Sequence, residues 1–360
     1  MQARTAKCQA SWGVSVVICC HNSAARLPQT LAHLAAQQRT APVLWEVIVI
    51  DNGSTDQTAT VARQQWPVAA TAPLRVVHEP QLGLIHARLR GFAAARYELV
   101  SFIDDDNWVA PDWVVTVAAL MHDRPAVGAC GGWSVAVSEQ PLPAWFARYH
   151  AGYAVGEQGC GSGDVTVTRG YLWGAGLTIR QAAWQQLLNA GFRPLLAGRQ
   201  GTALSGGEDS EICYALRLAG WRLWYDRRLQ LQHYLPAHRL EWSYLRQLHR
   251  GTGRAFVVLG VYRQLLDLPT NPVGRLKQVW LWQLLGSVVG LLRRQMKYSL
   301  SQAPLPYRRF SAAQRVAAER ALLDREYYQE KLITLLQKRR EYRQMVNRLR
   351  ALAQQLGKTK

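Results

Sequence analysis

Between Leu99 and Trp108 the chain reads LVSFIDDDNW, an apolar run that stops in three adjacent carboxylates, Asp104, Asp105 and Asp106. A continuous run of this kind suits a strand buried on both faces, as in parallel sheets. Three acids at its mouth repel one another unless positive charge sits among them. If extended geometry continues past the run, Asp104 and Asp106 point to one side and Asp105 to the other. Two carboxylates on one side suit a hard divalent cation, Mg²⁺ or Mn²⁺, and through it phosphate oxygens. A solvated acidic turn is the structural alternative.

The N-terminal half repeats the theme. Val14–Cys20 (VSVVICC) and Trp45–Asp51 (WEVIVID) read as buried strands, the second again ending in an acid, and Leu74–His78 reads as a third. Helical patterns run from Ala24 to Gln38 and from Leu82 to Ala95, and a further one runs toward Gln65 with Ser54 or Thr55 as candidate cap. Strands and helices alternating at short spacing predict an α/β fold with a doubly wound parallel sheet, which binds ligands at the carboxyl ends of its strands. Asp51 and the Asp104–Asp106 cluster lie at such ends and are expected to share one crevice.

Five blocks, VSVVICCHN, EVIVIDNGSTD, GLIHARLRGF, FIDDDNW and GGEDSEICYALRLAGWRLWYD, occur in this order between Val14 and Tyr234. Together they resemble the successive motifs of family-2 glycosyltransferases with the GT-A fold. The last block is similar to that of bacterial exopolysaccharide enzymes, including a cyanobacterial hormogonium-polysaccharide type. The resemblance implies a Rossmann-like nucleotide-diphospho-sugar transferase domain that moves a sugar, with inversion, from a nucleoside-diphosphate sugar to a glycan or lipid-linked acceptor. It matches Asp51 to the acid that binds the nucleotide base and Arg88 to the arginine near base and diphosphate, whereas Arg90 reads as a solvated helix charge. It matches Asp104 and Asp106 to the D-x-D motif, with Asp106 as the direct metal ligand and Asp104 nearer the ribose. Asp105 is grouped with the donor residues by position, without a role of its own.

The same resemblance matches Asp209, in GGED, to the general base, with Glu208 as the alternative. Acids in a first helical turn are also expected from the helix dipole alone. His233 ends the alternating run Leu229–His233, and reads either as a third metal ligand or diphosphate contact, or as a strand-end histidine bonded to backbone. Trp173, Gly174 and Ala175, followed by Gly176, resemble the family's sugar and acceptor segment; a strand bend explains the small residues almost as well. Residues 139–163 carry Pro, Gly and aromatics without periodicity and form a candidate acceptor loop. The chain departs from the family at Cys19-Cys20-His21-Asn22, where a turn-setting proline is usual, and at Asn52, where a second acid is common. Adjacent cysteines without a C-x₂-C partner make a poor zinc site.

Charge divides the chain. Residues 1–236 carry 19 Lys and Arg against 17 Asp and Glu, whereas residues 237–360 carry 24 against 7, so nearly all of the net +19 belongs to the last third. There, the apolar stretch 279–292 (VWLWQLLGSVVGLL) is interrupted by Gln283 and Ser287 and flanked by Arg275, Lys277, Arg293, Arg294 and Lys297. Its 14 residues fall short of the ~20 a bilayer requires. An in-plane helix on an anionic membrane, with Trp280 and Trp282 at the interface and Phe256–Val261 extending the surface, is expected; a buried core helix is the alternative. Ser311–Leu352 reads as a long helix with a Ser311/Gln314 capping box. Its stripe of Tyr328, Leu332, Leu335, Tyr342, Val346 and Leu349, broken at Arg339, suits either a coiled-coil homo-oligomer or a membrane surface.

The start, MQARTAKCQASWG, lacks an apolar signal segment, and the six cysteines are irregularly spaced, so a cytoplasmic enzyme, peripheral on the inner membrane face, is expected. The linear organisation is a tail over 1–13, a catalytic domain over 14–239, a membrane-associating helical segment over 240–300 and a basic long helix over 301–360. A nucleic-acid-binding protein also suits the net charge, but the confinement of that charge to an apolar, Trp-bearing tail argues against it, and no nucleic-acid partner is expected. A non-catalytic sugar-nucleotide binder is disfavoured by the retention of Asp104, Asp106 and Asp209.

Overall fold

The computed structural model describes residues 11–198, 204, 206–267, 279–302 and 312–358. Among them two compact units are interleaved along the chain. One comprises residues up to Val137, Ala154–Asn189 and Gly220–Leu235, and the other Ser138–Tyr153, Ala190–Ala219 and the residues from Pro236 onward. Parts of the expected 14–239 domain, residues 138–153 and 190–219, thus group with the C-terminal helices.

The first unit is built on one nine-stranded sheet. Its strands are β1 (Ser11–Cys20), β2 (Trp45–Asp51), β3 (Leu74–His78), β4 (Tyr97–Asp104), β5 (Asn107–Val109), β6 (Val127–Val137), β7 (Gly163–Asp164), β8 (Leu177–Arg180) and β9 (Arg222–Tyr234). The order is β3-β2-β1-β4-β8-β6-β9-β5, with β7 beside β9. The first four neighbours are parallel as expected. Beyond β4 the sheet turns mixed, because β8 runs antiparallel to β4 and β6, and β5 antiparallel to β9. The all-parallel expectation therefore holds only for the Rossmann-like half.

Alternation along β1 explains why helices cover both faces. Val14, Val16 and Ile18 join a buried cluster with Leu27, Leu31 and Leu34 of α1 (Leu27–Ala35) and with Trp113, Val114 and Val117 of α4 (Trp113–His122). On the other face, a side chain at Gly91 of α3 (Leu84–Ala94) would collide with Val17, and Phe92 stacks on Trp184 of α6 (Gln181–Asn189) and meets Phe102 edge-on. Buried polar groups are paired across strands. Trp113 Nε1 donates to Ser101 Oγ at 3.1 Å, and Glu46 takes Arg75 at 2.8 Å and Ser15 Oγ at 2.9 Å. The helix toward Gln65, α2, starts at Thr58 behind Gln57 rather than at a Ser54 or Thr55 cap; Asp56 Oδ1 instead accepts from Thr58 N at 2.9 Å.

The second unit is helical: a short α5 (Phe146–Tyr149), α7 (Glu208–Leu218), α8 (Trp242–Asp267), α9 (Val279–Gln302), α10 (Ala312–Gln337) and α11 (Arg339–Lys358). The expected long helix is broken at Lys338, beside the Arg339 that interrupts its apolar stripe. Four of the six stripe residues, Leu335, Tyr342, Val346 and Leu349, are buried within the chain, and Tyr328 and Leu332 are partly buried. Val257, Leu259 and Val261 are buried as well, so the Phe256–Val261 stretch of α8 is core rather than an extended membrane surface. Gly253 lies against the Tyr327 backbone, which sets the close approach of α8 and α10. Glu326 of α10 is clamped by Arg246 at 2.5 Å and Arg250 at 2.9 Å. The Ser311 capping box and the Arg275 and Lys277 flanks lie outside the described residues, as does most of the 1–13 tail. Among the described residues no helix is long and apolar enough to cross a membrane.

Candidate functional site

Register brings the acids together. At the carboxyl end of β1, Cys20 lies opposite Asp51 of β2 and Cys19 opposite Asp104 of β4. Asp51 and Asp104 therefore flank one strand at the same edge of the sheet, about 10 Å apart from strand spacing alone.

The loops at this edge are cross-linked. Asn22 takes a left-handed conformation (φ 51°), and its Oδ1 accepts from Thr55 N at 2.8 Å. His21 Nδ1 lies 2.8 Å from the Asn52 carbonyl, which leaves the Cys-Cys-His sequence as a loop brace; burial pushes the Cys20 thiol well up. Asp51 Oδ1 accepts from Ser54 N at 3.2 Å, and its other oxygen lies 3.8 Å from His78 Nδ1. Asn52 is buried and ties three segments: its amide donates to the carbonyls of Glu79 and Gln81 at 3.0 and 2.7 Å and accepts from Gly83 N at 2.8 Å. A carboxylate there has no proton for those carbonyls, which explains the departure at this position.

The three central acids separate by role. Asp104 ends β4, and its N–H donates to Asn107 Oδ1 at 3.3 Å. Asp105 and Asp106 form the turn into β5, so the simple side-to-side alternation expected of an extended strand does not apply. Asp105, grouped by sequence with the donor residues, instead faces α1: Arg26 holds it at 2.7 Å, and Thr30 Oγ1 donates to its carbonyl at 2.9 Å. Burial and then the neighbouring Asp106 push the Asp105 carboxyl above its ordinary value, with Arg26 opposing them. Asp106 is buried and meets His233, whose Nε2 lies 3.6 Å from its Oδ1. The encounter is built by β5 pairing with β9, in which Asn107 lies opposite His233 and Tyr234 N donates to the Asp106 carbonyl at 2.8 Å. His233 thus lies beside the carboxylate to which the sequence reading assigned the metal.

Among the described residues no three His, Cys, Asp or Glu side chains gather around one point. The expected Asp104, Asp106 and His233 set is thus reduced to the Asp106–His233 pair. One carboxylate oxygen and one imidazole nitrogen fit two positions of a first-row ion such as Mn²⁺ better than the all-oxygen preference of Mg²⁺.

Arg88 is buried on α3, with its guanidinium 5.6 Å from the Phe102 ring centre, while Arg90 is exposed. Trp173, Gly174 and Ala175 are buried; Trp173 N donates to the buried Gln158 at 2.7 Å and Arg169 covers the Trp173 ring at 4.5 Å. Gly176 follows at φ 74°, where a side chain would strike Trp113.

Glu208 and Asp209 belong to the second unit, in the first turn of α7. The turn is entered through Gly207 at φ 103°, a conformation that requires glycine. Glu208 is buried, and the half-buried Asp209 accepts from Ser210 N at 2.6 Å. One turn on, Glu211 is the acid that sequence reasoning passed over. It is fully buried, accepts from Leu195 N and Leu196 N at 3.0 and 2.8 Å and from the Tyr262 hydroxyl at 3.1 Å, and burial pushes its carboxyl up to about 7. Its placement at i+3 from Glu208 was the available signal.

A mixed sheet with a parallel Rossmann-like half, acids at its carboxyl edge and C-terminal helices is the GT-A architecture. The chain matches the models "Glycosyl transferase family 2" over residues 15–168 and "Glycosyl transferase family group 2" over residues 99–307, and it belongs to the family-2 glycosyltransferases. It is 26% identical over 314 residues to a pre-mycofactocin glycosyltransferase of Mycobacterium tuberculosis, a match covering 86% of this chain and 60% of that one. It is 36% identical over 127 residues to the validoxylamine A glucosyltransferase of Streptomyces hygroscopicus, covering 33% of this chain and 27% of that one. The chain therefore spans less than two thirds of either relative. In fold it is similar to the mannosyltransferase PcManGT of Pyrobaculum calidifontis in complex with GDP-Man and Mn²⁺, with TM-score 0.53, 17% identity, and coverage of 92% of this chain and 87% of that one.

Proposed function

We propose that the protein is an inverting, metal-dependent glycosyltransferase that moves a sugar from a nucleoside-diphosphate sugar to a hydroxyl of a glycan or lipid-linked acceptor in polysaccharide biosynthesis. The observation that carries this reading is the register that sets Asp51 and Asp104 on either side of β1, with the Asp106–His233 pair in the turn that follows. Asp51 accepts hydrogen bonds from the base, Asp104 from the ribose, and Arg88 lies near the base and diphosphate, a group suited to guanidinium. Asp106 and His233 hold the cation, which when bound offsets the charge of the departing diphosphate. A complex of a fold neighbour with GDP-Man and Mn²⁺ supports this donor class and the choice of ion.

Asp209 removes the proton from the acceptor hydroxyl as that oxygen attacks the anomeric carbon. Its half-buried position at a helix start, beside a buried Glu208, favours it over the alternative. Trp173–Ala175 line the sugar and acceptor pocket, and residues 139–163 recognise the acceptor. The basic C-terminal helices hold the enzyme on the anionic inner face of a membrane, a reading supported by the charge split. A thermal-shift panel of nucleoside diphosphates and their sugars, with and without Mn²⁺, tests the donor assignment, because a ligand selective for the folded state raises its melting temperature. A Mn²⁺-dependent rise with one nucleotide supports it, and no rise with any nucleotide contradicts it.

A further inference from the structure

Helix α9 is built inside out. Its two polar interruptions face the unit's interior: Gln283 and Ser287 are buried, Gln283 Nε2 donates to the Tyr342 hydroxyl at 3.2 Å, and Ser287 Oγ donates to the Gln283 carbonyl at 2.6 Å. Gly290 lies against the Tyr328 ring, and Arg294 pairs with Asp324 at 3.0 Å. Trp280 is held as well, since its Nε1 donates to the Leu335 carbonyl at 3.1 Å and Arg339 covers its ring at 4.8 Å. These contacts fix the rotation of the helix about its own axis.

The opposite face is apolar and open. Leu281, Trp282, Leu285, Val289, Leu292 and Met296 are 44–65% exposed. At 3.6 residues per turn they fall within an arc of about 100° and extend for about 22 Å. They make up six of the fifteen large apolar side chains exposed among the described residues, and the other nine are scattered over other elements. Scattered apolar residues need no explanation, but a contiguous stripe does. Arg293 and Lys297, both exposed, follow on the edge of this same stripe.

We infer that this outward face of α9 is a membrane-docking surface, lying in plane on an anionic bilayer with the apolar stripe in the acyl boundary and Arg293 and Lys297 on the headgroups. The inference rests on the membrane reading above and sharpens it to one face; it also removes Trp280 from the interface. Three features select a bilayer as the occupant. A cationic rim complements anionic headgroups. A second copy would bring another C-terminal third of net +17 against the first. The inward polar side chains leave only one side of the helix apolar, which excludes spanning.

The test uses the full chain in co-sedimentation with phosphatidylglycerol/phosphatidylcholine vesicles and with phosphatidylcholine vesicles. Leu285→Ser, Leu292→Ser and Met296→Ser combined are expected to lower partition onto the anionic vesicles about a hundredfold, with melting temperature and nucleotide binding unchanged. Arg293→Gln with Lys297→Gln is expected to lower it about thirtyfold at low salt and little at high salt. A wild-type protein that stays in the supernatant overturns the membrane reading itself. Wild-type binding that the triple variant retains leaves that reading standing and overturns the assignment to α9. A triple variant with a markedly lower melting temperature makes the stripe core, and a dimer that the triple variant abolishes makes it a self-association surface; either result overturns the inference.

Discussion

The strand-built unit and the helical unit solve opposite electrostatic problems. In the first, nearly neutral stretch of sequence, acids are gathered at one sheet edge and three of them meet partners: Asp105 meets Arg26, Asp106 meets His233, and Asp51 meets His78 and a turn amide. In the C-terminal third, positive charge is in large excess and several of its few acids are held by arginines: Glu326 by Arg246 and Arg250, Asp324 by Arg294 and Glu330 by Arg254. One region concentrates negative charge at the sheet edge where we propose that a cation and a diphosphate bind. The other leaves cations on the surface beside an apolar stripe. The comparison teaches that the proposed donor chemistry and the proposed membrane attachment draw on separate residues, so they should fail separately.

The largest expected effect concerns the proposed base. Asp209→Asn keeps the shape but removes the proton acceptor, and should lower kcat by about 10²–10⁴ with little change in donor affinity; steady-state kinetics checks it. If Glu208→Gln is the slower variant, the base has been misassigned. Asp106→Asn should abolish the Mn²⁺-dependent part of nucleotide affinity, read by calorimetry with and without the ion, while vesicle binding stays at the wild-type level. A loss of vesicle binding in this variant would break the separation.

Smaller effects test the supports. Glu211 is raised from its ordinary 4.5 to about 7, so between those values the folded protein holds a proton that the unfolded chain has released. Stability should therefore fall as pH rises through that window, by about 3 kcal/mol in all. Glu211→Gln should flatten the decline, which denaturant melts at a series of pH values measure. Arg26→Met leaves Asp105 without its ion-pair partner at the edge of the sheet. It should lower stability by about 1–3 kcal/mol and leave the salt dependence of vesicle binding unchanged.

Much of the first half was legible because its signals are local. The bounds of β2 and β3 follow from apolar runs closed by Asp51 and His78. The acids at strand ends follow from the same runs. What the sequence concealed is long-range register. The pairing that sets Asp106 against His233 joins two strands separated by most of the unit, and no spacing rule announces it. Arg26 is likewise distant in sequence from the Asp105 it holds. In α9 the pattern was visible but its sense was inverted: Gln283 and Ser287 look like breaks in an apolar surface, yet they are its buried anchors. Periodicity gives the two faces of a helix, and only packing decides which one is turned inward.

The central claim, that the acid-edged sheet holds a nucleoside diphosphate through Asp106 and a divalent ion, is tested most directly by isothermal titration of the wild-type protein and Asp106→Asn with the nucleotide selected by the thermal-shift panel, each with and without Mn²⁺. The account predicts tight binding to the wild type only with Mn²⁺, and weak, ion-independent binding to the variant. Equal Mn²⁺ enhancement in both proteins would contradict it.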